Sequence, residues 1–94
     1  MTIRITQEAL ARKWTKEEFS CGLWVDPPGQ RWENYVHEVD EVVCVAEGAL
    51  ELEMEGKKRI LKPGDKAFIP ARTNHSVRNV GRRAARWYYG YKRT

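Results

Sequence analysis

The sequence predicts an all-β domain, a sandwich or barrel of short strands preceded by one short helix. Three observations carry this. Turn signals built on Gly, Pro, Asn and Asp recur from Asp26-Pro27-Pro28-Gly29 onward, and between them lie short runs rich in Val, Ile, Leu and aromatics. One of these runs alternates, with Leu50, Leu52 and Met54 set against Glu51, Glu53 and Glu55, the pattern of a strand half in water. Only the segment Thr6-Gln-Glu-Ala-Leu-Ala-Arg, a capping residue followed by good helix formers, reads as one or two helical turns.

Taken in order, Ser20 to Val25 is an apolar-rich run stopped by the Pro27-Pro28 turn, and Arg31 to Val36 and Glu41 to Ala46 are rich in Val and aromatics. Glu47-Gly48 turns the chain into Ala49 to Met54. Glu55-Gly56-Lys57-Lys58 reads as a hairpin turn before Arg59 to Leu61, and Lys62-Pro63-Gly64-Asp65 as a second turn before Lys66 to Ile69. His75 to Val80 and Ala84 to Tyr91 complete a set of about eight strands whose close spacing fits a sandwich or barrel.

The 94 residues predict a single domain over 1–94, with residues 1–19 as an N-terminal helical or extended arm and 20–91 as the barrel. A chain of this length has a small core, so a metal or a second subunit adds usefully to its stability. The composition, 41% hydrophobic and 32% charged, is that of a soluble protein, and no run approaches the roughly 18 apolar residues of a membrane span. The segment Met1-Thr-Ile-Arg-Ile-Thr lacks the apolar stretch of a secretory signal, which gives the expectation of a cytoplasmic protein. Cys21 and Cys44 are too few for a disulfide framework and lack metal-ligand spacing, so they are expected as free thiols. The net charge of +4 comes from clusters such as Lys57-Lys58-Arg59 and Arg82-Arg83, which flank turns. With no nucleic-acid-binding motif beside them, they argue against nucleic acid as the partner and for a weak field that favours an anionic small molecule.

The chain has two histidines, His37 and His75, and each lies in a segment bracketed by turns. Tyr35, His37 and Glu41 share parity, so on an extended chain they project to one side, and His75 must join them from another strand. Two imidazoles and a carboxylate are the ligand set of an open metal site, because three protein ligands leave coordination positions for water, dioxygen or substrate.

These segments also resemble the two motifs of the cupin superfamily. The first motif is a glycine, five residues, His-x-His, three or four residues, a glutamate, six residues and a glycine; here Gly29, His37, Glu41 and Gly48 stand in place and Tyr35 replaces the first histidine. The second is a glycine, five residues, Pro-x-Gly, two residues, a histidine, three residues and an asparagine. Gly64, Pro70, His75 and Asn79 match it, and Arg72 replaces the internal glycine. The resemblance implies a jelly-roll β-barrel with the metal inside, held by His37, Glu41 and His75. It also implies a dimer, since family members commonly pair through strands and an N-terminal arm. Gly48 and Gly64 are expected at positive φ in tight turns. Arg72 pays for that conformation, so either Asn74 takes it or the turn is rebuilt with Arg72 at the barrel mouth, near a substrate carboxylate.

A neutral phenol is a poor ligand, so Tyr35 is expected beside the ion, as a hydrogen-bonding or proton-donating catalytic group. The remaining set favours Fe(II), with Mn, Zn, Ni or Co as other occupants. Trp87, Tyr89 and Tyr91 share one face of the last strand, and Trp24 and Trp32 flank the Pro27-Pro28-Gly29 turn. Trp87 and Tyr89, with Arg72, are the expected substrate-pocket residues. Val42, Cys44 and Ala46 lie opposite Val43 and Val45, so this strand is apolar on both faces and predicts a cover, most simply a second subunit in a homodimer. Three functions fit: a metal-dependent dioxygenase or related oxidoreductase, a metal-dependent sugar-acid or ketoacid isomerase or lyase, and a non-catalytic small-ligand-binding module.

Overall fold

A computed structural model describes residues 6–93. The first five residues of the expected arm lie outside the described residues.

The helix α1 runs over Gln7–Lys16, longer than the sequence pattern indicates. Thr6 caps it by accepting from the Ala9 N–H at 3.2 Å, and Glu8 near the start and Lys13 and Lys16 near the end suit the helix dipole. It stops at Glu18, which takes a φ of 67°. The Phe19 N–H then bonds to the Trp14 carbonyl and the Glu18 N–H to that of Thr15, the two bonds of a Schellman end. The extra length comes from packing. Leu10 and Trp14, one turn apart, are buried against Cys44 and Tyr88. Gly90 makes this possible, because a Cβ there would collide with the Ser20 carbonyl oxygen and lie 2.9 Å from the Trp14 ring.

Eight strands follow among the described residues: β1 Gly22–Asp26, β2 Arg31–Tyr35, β3 Glu41–Glu47, β4 Leu50–Met54, β5 Lys57–Leu61, β6 Lys66–Ile69, β7 His75–Arg78 and β8 Ala85–Tyr91. They form two antiparallel sheets, β1-β8-β3-β6 and β2-β7-β4-β5. This all-β jelly roll with a short N-terminal helix is the architecture expected from the sequence. The β4-β5 turn is tighter than expected. Glu55 and Gly56, both at positive φ, form a two-residue hairpin that opposes Met54 to Lys57.

The core lies between the sheets, with Val43, Val45, Ile69 and Trp87 from one meeting Leu50, Leu52, Leu61 and Val77 from the other. On the outer face of the second sheet, Arg78 binds Glu33 of β2 through Nε and Nη2, at 2.6 and 2.8 Å, and reaches Glu51 and Glu53 of β4 at 2.8 Å each. This draws the Glu33 carboxyl down to about 2 and ties three strands together.

The double apolar face of β3 is real, but its cover differs from expectation. Val43 and Val45 enter the core, while Cys44 and Val42 meet α1 of the same chain, so the homodimer loses this argument. Cys21 and Cys44 are free, Cys44 buried and Cys21 half-buried, and burial pushes both thiols up. No helix among the described residues is long and apolar enough to cross a membrane.

Candidate metal centre and aromatic cavity

His37, Glu41 and His75 meet at one end of a cavity between the sheets, with one candidate ligand atom from each within 4.8 Å of the others. They arrive from different local structures. Glu41 opens β3 opposite Tyr91 of β8, and His75 opens β7 opposite Tyr35 of β2. His37 lies in the loop between β2 and β3, which is fastened by the Arg72 N–H donating to the His37 carbonyl and the Ala71 N–H to Asp40 Oδ1.

The parity reading therefore reaches the right group for an incomplete reason. Residues 36–40 are not a strand, and β2 itself is irregular. Its pairing shifts by one residue between Trp32 and Tyr35, where Asn34 has a φ of 56° and its N–H donates to Ser76 Oγ. This bulge turns Trp32 and Tyr35, of opposite parity, into the same cavity.

The hydrogen bonds define the chemistry of the trio. His75 Nδ1 lies 3.0 Å from the Thr73 carbonyl, which only accepts, so this nitrogen carries the proton and the Nε2 lone pair faces Glu41. Glu41 Oε1 stands 3.6 Å from that nitrogen and 3.3 Å from His37 Nε2. It is buried and accepts no hydrogen bond. Burial lifts the Glu41 carboxyl to about 7, and burial is the largest cause that lowers His37. A buried carboxyl oxygen without a donor and an imidazole nitrogen that face each other form an arrangement that a shared cation, a proton or a metal ion, completes. The donor set and the orphaned oxygen both fit a divalent ion on His37, Glu41 and His75.

Apart from Val77, the rest of the described lining is aromatic. Trp87, Tyr89 and Tyr91 of β8 line it, with Trp24, Trp32 and Tyr35. Tyr91 is the phenol packed on the trio, its ring 5.0 Å from that of His37, and burial followed by the charge of Glu41 pushes its hydroxyl up to about 12. Tyr35 stands farther off, 6.4 Å from the His37 ring, and is exposed at the mouth. Gly22 leaves the room that the Tyr89 ring fills, since a Cβ there would lie 2.7 Å from it.

Arg72 lies outside this group. It takes the left-handed conformation itself, with a φ of 59°, and Asn74 does not; its side chain is exposed, 4.0 Å from Glu38, and does not line the cavity. Asn79 is a structural clasp: its side chain donates to the carbonyls of Asp26 and Arg83 and accepts from the Gly81 N–H. Asp26 is the residue that sequence reasoning missed. Before two prolines it reads as a turn residue, yet it is buried and accepts from the indoles of Trp32 and Trp87. Its shared parity with Trp24 was the available signal.

The family model described as Cupin domain matches residues 22–91. The chain belongs to the cupin family. It is 35% identical over 69 residues to Polyketide synthase CurC of Streptomyces cyaneus, a match that covers 72% of this chain and 45% of that protein, so the chain spans under half the length of this curated relative. Among solved structures, the cupin is similar to a sugar phosphate isomerase from Silicibacter pomeroyi, 31% identical with a TM-score of 0.72, over 82% of this chain and 52% of that one. It is also similar to the TT1209 protein of Thermus thermophilus, 25% identical with a TM-score of 0.70, over 98% of this chain and all of that one.

Proposed function

We propose that this cupin is a metal-dependent enzyme acting on a small molecule, with one divalent ion on His37, Glu41 and His75 and an oxygenase-type oxidoreductase reaction. The observation that carries the reading is Glu41 Oε1, buried, without a hydrogen-bond donor, and facing both imidazoles. Two imidazoles and one carboxylate are the set that non-haem Fe(II) oxygenases use, which favours iron over Mn, Zn, Ni or Co. Such an ion supplies Lewis-acid polarisation of a ligand oxygen and, as iron, electron-transfer chemistry. Thr73 fixes the tautomer of His75, and the aromatic lining limits water around the bound molecule. Tyr91, held protonated, and Tyr35 at the mouth are the phenols placed to donate a hydrogen bond to a substrate oxygen.

The likeness to a sugar phosphate isomerase favours the isomerase reading, but among the described residues no Lys or Arg lines the cavity to meet a phosphate. Similarity to Polyketide synthase CurC instead supports a role in polyketide synthesis. Metal analysis of protein purified without added metal, then anaerobic Fe(II) reconstitution and nitric oxide titration, tests the reading. About one iron per chain and the S = 3/2 resonance of an iron–nitrosyl support an open ferrous site. Iron that binds but gives no such resonance contradicts an oxygenase.

A further inference from the structure

Six of the ten described residues that line the cavity are Trp or Tyr. Two of these rings are held in an unusual way. Trp32 comes from β2 and Trp87 from β8, in opposite sheets, yet both indole N–H groups end on Asp26. Trp32 Nε1 lies 3.2 and 3.1 Å from Oδ1 and Oδ2, and Trp87 Nε1 lies 3.1 Å from Oδ2. Asp26 is 1% exposed, so the clamp is shielded from solvent. An indole has one polar atom, and with that atom bound in the wall the cavity meets ring carbon. Trp24 braces Trp32 edge-on at 5.6 Å, and Tyr89 braces Trp87 at 5.9 Å. The walls are thus pre-set, and a ligand loses little affinity to ordering them.

The cavity is also graded. Asp26 sits opposite Ala85 at one end of β8, and Glu41 opposite Tyr91 at the other. Indoles crowd the first end, while imidazoles, a carboxyl and a phenol crowd the second. The indole end offers few polar partners, so a ligand with hydroxyls all round would leave several of them unpaired there. The volume is about 270 Å³. An apolar cavity of about 150 Å³ takes benzene, so this one suits roughly two fused rings.

We propose that the cavity binds a flat conjugated ligand of one or two fused rings with oxygen donors on one edge, and that Asp26 is the positioning residue that holds Trp32 and Trp87 as its walls. The ring faces the indoles and the oxygens point to the His37, Glu41 and His75 end. The ring half stands on the clamp and the lining; the oxygen half rests on the metal reading above.

Calorimetry with 2,3-dihydroxynaphthalene and its saturated counterpart decalin-2,3-diol separates the two halves, using EDTA-treated and Zn(II)-loaded protein. The aromatic diol should bind at least roughly tenfold tighter than the saturated one in both forms, the scale of about one or two aromatic contacts. Equal affinities overturn the proposal whatever the metal does. Zn(II) should tighten the aromatic diol and leave naphthalene unchanged. A preserved aromatic preference with no effect of Zn(II) overturns the oxygen half and the metal reading while upholding the slot. In Asp26→Asn, one indole loses its acceptor, and the aromatic-to-saturated affinity ratio should fall several-fold; an unchanged ratio in folded variant overturns the clamp. Should that variant not fold, Trp24→Ala, which leaves the clamp intact, should lower affinity for the aromatic diol about fivefold, and full affinity overturns the slot.

Discussion

Asp26 and Glu41 are both buried acids that face inward at opposite ends of β8, and they differ in what they meet. Asp26 receives two indole N–H groups, and its backbone carbonyl is clasped by Asn79. Glu41 receives nothing at Oε1 and faces two nitrogens. In one small interior, the same functional group is thus a structural joint at one end and a candidate metal ligand at the other. Burial alone does not mark a site; burial with the partner missing does.

The largest expected effect is at the Asp26 end. Asp26→Ala orphans two buried indole donors and opens a cavity, which should cost about 3–5 kcal/mol in urea unfolding. A loss under about 1 kcal/mol would show that the clamp carries little of the fold's stability.

The Glu41 end should behave in the opposite sense. Burial raises the Glu41 carboxyl from 4.5 to about 7. The native state then holds this proton more tightly than the unfolded chain does. Its contribution is fully present below about pH 4.5 and is lost as pH rises through 7. In EDTA, wild-type protein should therefore lose about 3 kcal/mol relative to Glu41→Gln between pH 4.5 and 8. Parallel pH profiles for the two proteins would mean that Glu41 already has a partner.

Tyr35 and Arg72 sharpen the comparison with smaller effects. Tyr35→Phe should leave Zn(II) affinity within about threefold, since the ring stands off the trio, and Tyr91→Phe should perturb it more. The reverse order would return the close phenol to Tyr35. Arg72→Gly removes a residue held at positive φ and should raise stability by up to about 1 kcal/mol with metal affinity unchanged. A fall in metal affinity would tie Arg72 to the site.

Much of this was legible in the sequence because the turns are short and marked by Gly or Pro. All eight strands and the trio of His37, Glu41 and His75 follow from those marks and from motif spacing. What escaped depends on packing between distant segments. The length of α1 reflects Trp14 settling on Gly90, and the cover of β3 reflects that same helix. The bulge at Asn34, which overrides parity in β2, has no signature in the residue pattern. Asp26 was hidden by its own neighbours, since an aspartate before Pro27-Pro28 has an adequate local explanation as a turn.

The central claim is that Glu41 and the two histidines hold one divalent cation. Zn(II) titrated calorimetrically into EDTA-treated wild-type, His75→Ala and Asp26→Asn protein tests it most directly. We expect one equivalent per chain in wild-type and Asp26→Asn, and a loss of at least about a hundredfold in affinity in His75→Ala. Undiminished Zn(II) binding in folded His75→Ala, or none in wild-type, would contradict the account.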